Sequence, residues 1–340
     1  MKRLAGRLLP RFALWTVILL YLVVIAGSIV RATGAGMGCP DWPKCYGKLI
    51  PPTRVEGIDF SRLDIEKYRN AWQRSGHDPI EVTEETLKRD FDAVATWTEF
   101  INRVFGMISG LAALATFFCA VIAVPHRRWL LVLLVLQLGL FGVVAWLGKV
   151  VVDTNLLPWK ITLHMGLAVA LVSTAIVIRH LTAPAAPLPV SRSLRRHLLA
   201  AFVLCLIQIF VGTQVREVVD HLAAGECCDG RLEQRLGNIL VWHRVGAIFT
   251  LTVVAVAFFR LKLSAAAGSA APWLVAMCGL VVAVEYAAGV LLIRAGLPAT
   301  LQPVHLVLAV ILHGILLAML LRQRLQLPAA GDKLPQTAAA

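Results

Sequence analysis

Charge is scarce in this sequence: Asp, Glu, Lys and Arg make up 16% of its 340 residues, while 58% are hydrophobic. Soluble domains carry about a quarter charged residues. With a mean hydropathy of +0.75, the composition excludes a soluble globular protein and indicates a polytopic membrane protein. Acid is scarcer still, with 20 Asp and Glu against 33 Lys and Arg, giving a net charge of +13. The excess does not indicate nucleic acid, because the basic residues sit at helix ends. Lys2, Arg3, Arg7 and Arg11 precede the first apolar run, and Arg127 and Arg128 follow the second. Arg192, Arg195 and Arg196 separate the fourth from the fifth, Arg260 and Lys262 follow the sixth, and Arg322 and Arg324 the eighth. These are alternate loops on one side, the positive-inside pattern with both termini cytoplasmic. A small-residue cleavage site is also missing, since Arg31-Ala32-Thr33-Gly34 follows the first run, and no Arg- and Ser-rich leader is visible. The first run is therefore expected to be a retained span, in a bacterial inner membrane.

Apolar runs at 12–30, 100–123, 129–152, 160–180, 197–215, 239–260, 271–293 and 302–322 each have about the length a bilayer core requires. They divide four and four about Ala183-Pro184-Ala185-Ala186-Pro187-Leu188-Pro189. The expected organisation is an N-terminal bundle over 1–182, a cytoplasmic linker over 183–196, a C-terminal bundle over 197–325 and a disordered tail over 326–340. Residues 46–96 form the one long polar segment, an outer insert between the first two spans. Asp78-Pro79 and Thr83-Glu84-Glu85 within it look like starts of short helices.

The halves are related. Asn102-Arg103 opens the second run as His243-Arg244 opens the sixth, 141 residues later. The same displacement carries His164 onto His305 and Gly148 onto Gly289. Gly27-Ser28-Ile29-Val30-Arg31 and Gly212-Thr213-Gln214-Val215-Arg216 close the first run of each half, 185 residues apart, the difference being the outer insert. Such spacing marks an internal duplication, with two bundles related by an axis along the membrane normal. The fold expected is an all-α membrane protein, eight transmembrane helices arranged as two repeated four-helix bundles.

Asn102, His164, His243 and His305 all lie within about two turns of the outer end of an even-numbered span. His243 and His305 thus reach the same depth and can face each other, which suits bis-imidazole ligation of a heme iron. Membrane histidines also hydrogen-bond across helices, but a repeat-related pair at matching depth favours ligation. Zinc is disfavoured because no Cys or third His stands at ligand spacing. Arg31, Arg103, Arg216 and Arg244 sit at the outer interface, where guanidinium groups snorkel to headgroups or pair with carboxylates such as heme propionates. Glu99 precedes Asn102 by three residues and shares its helical face, whereas Leu240 stands there in the second half. One imidazole beside a carboxylate leaves an open position suited to chemistry; two imidazoles without one make a closed site suited to electron transfer. Glu99 paired with Arg103 as an ordinary interfacial carboxylate is the plainer alternative. His313, two turns beyond His305, is expected to be buried and hydrogen-bonded.

Seven cysteines divide by position. Cys119, Cys205 and Cys278 lie in apolar runs as small hydrophobes. Cys39, Cys45, Cys227 and Cys228 fall in outward loops, where disulfides persist, and the sequence leaves their three possible pairings open.

Taken together, these motifs resemble the heme A synthase family: the eight-span repeat, Gly27-x-x-Val30-Arg31-x-Thr33-Gly34, Cys39 with Trp42-Pro43 and Cys45, Glu99-x-x-x-Arg103, Gly212-Thr213-Gln214-Val215-Arg216-Glu217, His243-Arg244 and His305. The resemblance implies a heme b cofactor held by His243 and His305. It also implies a substrate site in the first half, where a ring methyl of heme O is oxidised stepwise to a formyl group. The family's paired N-terminal histidines map onto His164 and position 102, and its functional glutamate onto Glu99. Here Asn102 departs from the pattern and leaves His164 as the one strong axial ligand of the substrate heme, with Arg103 nearby. The partners implied are heme O, the lipid bilayer and a heme O synthase that hands over substrate; a homo-oligomer is compatible with all of this. Two other functions compete. A diheme quinol-linked electron-transfer subunit would need bis-histidine ligation in both halves. A transporter would place its polar residues near mid-membrane rather than at one end.

Overall fold

The computed structural model describes residues 1–39, 41–63, 65, 83–154, 157–223, 231–264, 271–296, 298 and 300–325. Its helices are α1 (Lys2–Ala32), the short α2 (Glu84–Arg89), α3 (Ala93–Ala123), α4 (Arg128–Asp153) and α5 (Pro158–Thr182). They continue with α6 (Arg192–Ala223), α7 (Arg231–Ser264), α8 (Ala271–Arg294) and α9 (Leu301–Leu321). Among the described residues, eight helices are long and apolar enough to cross a membrane: α1 and α3 to α9. The predicted runs fall on these eight. Several helices continue past the apolar run because the hydrogen-bond ladder does not stop at the first charge, as where Lys2, Arg3, Arg7 and Arg11 all lie within α1.

Helix starts follow local chemistry. Asp92 caps α3 by accepting from the Val94 and Ala95 amides at 2.7 and 3.2 Å. Thr83 opens α2 with a reciprocal capping box to Thr86, at the Thr83-Glu84-Glu85 start expected from sequence. Pro158 occupies the first turn of α5, where its missing N–H removes no helical bond. The other expected start, Asp78-Pro79, lies outside the described residues, as does the tail from 326.

Helices α1 and α3 pack most extensively, then α6 and α7. Contacts of α4 with α5, α1 with α5 and α3 with α4 have their counterparts in α8 with α9, α6 with α9 and α7 with α8. Small residues let the first pair approach closely: Ala13 of α1 and Ala120 of α3 are buried in one cluster. Leu130, Leu134 and Ile178 complete that core. The second half closes around Leu198, Cys205, Val254, Cys278 and Leu316. Leu20, Val169, Val172, Ala175 and Val310 join α1, α5 and α9 across the middle. There Ser173 Oγ lies 2.8 Å from His313 Nε2. His313 is fully buried and stacks on Phe202 at 5.0 Å, the hydrogen-bonded interior role its sequence position suggests. Outside, Leu111, Phe118, Leu136, Trp146, Phe210 and Phe249 are exposed. In water such a surface would aggregate; around a membrane bundle it is the lipid face.

Much of the segment expected as a cytoplasmic linker, 183–196, is regular structure. β1 (Leu188–Val190) pairs in parallel with β2 (Gln323–Leu325) beyond α9, and α6 already begins at Arg192. Leu188 and Val190 are buried, so the apolar residues beside the prolines join the core of the second half.

Candidate functional site

By the antiparallel order of the helices, α1, α4, α6 and α8 end where α3, α5, α7 and α9 begin, and the residues singled out by sequence gather at that end. The second half contains a cavity of about 530 Å³ lined by His243, His305, Glu285, Arg216, Arg244 and, from α1 of the first half, Arg31. This volume lies in the range of small-molecule and cofactor sites. Three guanidinium groups beside two imidazoles suit a flat ligand with acidic edges.

The imidazoles of His243 and His305 face each other with ring centres 6.3 Å apart and planes 85° apart. A metal bound between two imidazole nitrogens takes about 2.0–2.1 Å on each side. Adding a five-membered ring's radius at either end brings centre-to-centre separation to about 6 Å, a spacing this pair matches. Nδ1 of His243 is buried and has no hydrogen-bond partner among the described residues. No three His, Cys, Asp or Glu side chains converge as a metal cage among the described residues. Two ligands suffice when a macrocycle supplies the rest, so the donor set fits heme and not a bare metal ion.

Glycine makes the room. A Cβ at Gly289 would lie 3.0 Å from His305 Cε1, and one at Gly212 would lie 3.4 Å from His243 Cε1. The first half repeats the arrangement: a Cβ at Gly148 would meet His164 Cε1 at 3.5 Å, and one at Gly27 would meet Asn102 Oδ1 at 3.6 Å. Asn102 Oδ1 and His164 Nδ1 are buried without hydrogen-bond partners among the described residues. Arg31 donates from Nη1 to Met165 Sδ at 3.4 Å, and Arg216 hydrogen-bonds Gln302. Glu285, beside His305 at 3.1 Å, was not singled out by sequence, although it is the lone acid in α8.

Glu99 and Arg103 take part in a different construction. Cys39 and Cys45 are joined by a disulfide, which closes the loop after α1, and α3 holds that loop. The buried Glu99 accepts the Cys39 amide at 2.7 Å and pairs with Arg103. Arg103 also donates to the carbonyls of Cys39, Asp41 and Lys44 at 2.7, 2.8 and 3.0 Å. Gly38 sits so close to α3 that a Cβ would lie 2.5 Å from the Ala95 carbonyl. Asp41 grips the amides of Tyr46 and Gly47 at 2.6 and 2.9 Å, holding Tyr46 at a φ of 51° that a bulky residue otherwise avoids. Burial, and then the charge of Asp41, push the Tyr46 phenol up to about 12. The guanidinium expected at the substrate site is thus committed to the loop, and so is the carboxylate expected to be catalytic. Cys227 and Cys228 lie outside the described residues.

A family model described as a cytochrome oxidase assembly protein, COX15-CtaA, matches residues 10–317. The chain belongs to that family. This COX15-CtaA member is 24% identical to the heme A synthase of Shewanella oneidensis over 281 residues, 73% of this chain and 78% of the relative. To the heme A synthase of Halalkalibacterium halodurans it is 23% identical over 326 residues, 90% and 94% of the two chains. To the heme A synthase of Methylorubrum extorquens strain PA1 it is 29% identical over 205 residues, 57% and 50%.

Proposed function

We propose that this COX15-CtaA protein oxidises a ring methyl of heme O to the formyl group of heme A, in a bacterial inner membrane with both termini cytoplasmic. The names of its relatives support the reaction, and the family supports the link to cytochrome oxidase assembly. The observation that carries the reading is the His243–His305 pair, set 6.3 Å apart across a ligand-sized cavity. His243 and His305 would hold heme b, which when bound would supply one-electron transfer. Arg31, Arg216 and Arg244 orient its propionates, because a planar guanidinium matches a carboxylate bidentately. Glycines at 212 and 289 keep room for both rings. The matching glycine–polar pairs in the first half support two repeated bundles, with 1–182 receiving heme O. There His164 would bind the heme iron, and Asn102, a poor iron ligand on the same face of α3 as Glu99, would leave His164 as the one strong ligand. Glu99 anchors the disulfide loop at this site and stabilises positive charge or takes up a proton as the methyl is oxidised. A heme O synthase is the partner that would hand over substrate.

Expression in cells supplied with heme O, followed by pigment extraction, should yield heme A. Membranes rich in folded protein that yield only the methyl-bearing pigment would refute the reading. Replacing His243 or His305 by Ala should abolish the low-spin bis-imidazole spectrum and leave the helix content unchanged.

A further inference from the structure

A carboxylate in the interior of an apolar helix is costly and needs a reason. Glu285 is such a group, at the fifteenth of the 24 residues of α8. Its repeat counterpart in the first half, 141 residues earlier, is Val144, so the acid belongs to one half alone. Glu285 Oε1 lies 3.1 Å from His305 Nδ1, while Oε2 is buried and finds no hydrogen-bond partner among the described residues. Gly289, one turn further along α8, leaves the space in which the His305 ring sits. Helix α8 therefore offers His305 a gap to lie in and a carboxylate to face.

Metal-bound histidines commonly turn their second ring nitrogen to a carboxylate, which fixes the tautomer and strengthens the ligand. A proton on Nδ1, the ring nitrogen 3.1 Å from Glu285, would leave the Nε2 lone pair for iron. A half-partnered buried carboxylate is unfavourable until a positive charge arrives nearby, and a ferric heme between His243 and His305 brings one. Nδ1 of each histidine is buried without a hydrogen bond of good geometry, and among the described residues only His305 has a carboxylate beside it, so the two imidazoles are unequal.

We propose that Glu285 is a positioning residue that locks His305 in its Nδ1-protonated form and holds the reduction potential of the bound heme low. The negative charge favours ferric over ferrous iron, making the reduced heme a stronger electron donor. This rests on the bis-imidazole reading above and extends it to a residue outside the ligand set.

The test is a redox titration of the purified, heme-loaded full-length protein, read in the Soret and α bands, for wild type, Glu285→Asp and Glu285→Gln. E285Q should keep the low-spin spectrum while its ferrous-to-ferric ratio at a fixed poise rises tenfold or more, equivalent to about 59 mV for a one-electron couple. E285D, whose carboxylate is one methylene further from the ring, should fall between the two. The same substitution in heme-free protein should not lower the thermal midpoint, since it removes an incompletely paired buried charge. A purely structural Glu285 would show the opposite pair of results: lower apo stability and an unmoved potential. A low-spin spectrum in wild type with equal potentials in E285D and E285Q overturns the proposal and leaves the bis-imidazole reading standing. If E285Q binds no heme, equality of E285D with wild type overturns it alone. A wild-type protein without any low-spin heme signature overturns both.

Discussion

A methyl group added at position 289 would sit 3.0 Å from His305 Cε1, so the imidazole ring would have to shift to make room. Overpacking of this kind costs about 1–3 kcal/mol. Gly289→Ala should therefore weaken heme retention about tenfold or more, read by titrating apo-protein with hemin and following the Soret band. Gly148→Ala meets its histidine at an ordinary 3.5 Å and should leave that titration unchanged. The histidines and glycines of these pairs were visible in the sequence because both occur twice at one displacement. Glu285 was harder to see for the same reason. A duplication highlights what two halves share, and Glu285 aligns with a valine. Its legible signal was different: a lone acid in an otherwise apolar run.

At the scale of the element, the disulfide loop and α3 act as one unit. Glu99→Ala would strip the partner from the buried Cys39 amide, an omission that costs about 1–3 kcal/mol, and would leave Arg103 without its carboxylate. Faster amide exchange over 39–63, with α3 below Gly106 unchanged, is the expected result. Glu99→Gln retains an acceptor for the amide, so it should preserve most of the protection. If heme A formation falls in both variants, Glu99 acts on the substrate; if it falls only with loosened exchange, the bracing is its main task. Tyr46 gives the loop a pH limit. Its folded value of about 12 exceeds the ordinary 10, so its contribution to stability is complete below pH 10 and lost as pH rises from 10 towards 12. Tyr46→Phe should remove that alkaline component, measured as loop protection against proteolysis. Cysteine spacing and the Thr83 cap were legible because they depend on neighbours in the chain. The Arg103 clasp was not, since it depends on where an irregular backbone aims three carbonyls.

For the whole molecule, eight spans and their pairing order follow from hydropathy and antiparallel connection, whereas the join between halves depends on side-chain fit. His313, stacked on Phe202 and bonded to Ser173, lies at that join. Fragments 1–186 and 187–340, co-expressed with a tag on one, should co-purify. His313→Ala opens a void at the contact and should sharply reduce the recovered partner, read as band intensity at equal expression. Survival of full recovery would mean that the apolar residues around Val172 and Val310 suffice.

The β1–β2 pair gives these halves an asymmetry. Leu188 donates its amide to the Arg322 carbonyl at 2.7 Å, and Arg322 Nε returns a bond to Ala186 at 2.9 Å. The one peptide connection between the halves passes through this rivet, and the facing histidines stand at the far end of the helices. The strand pair ties the chain entering the second half to the end of its last helix, so a broad flat ring entering beside Arg31, His243 and His305 would meet the end of the bundle opposite the strands.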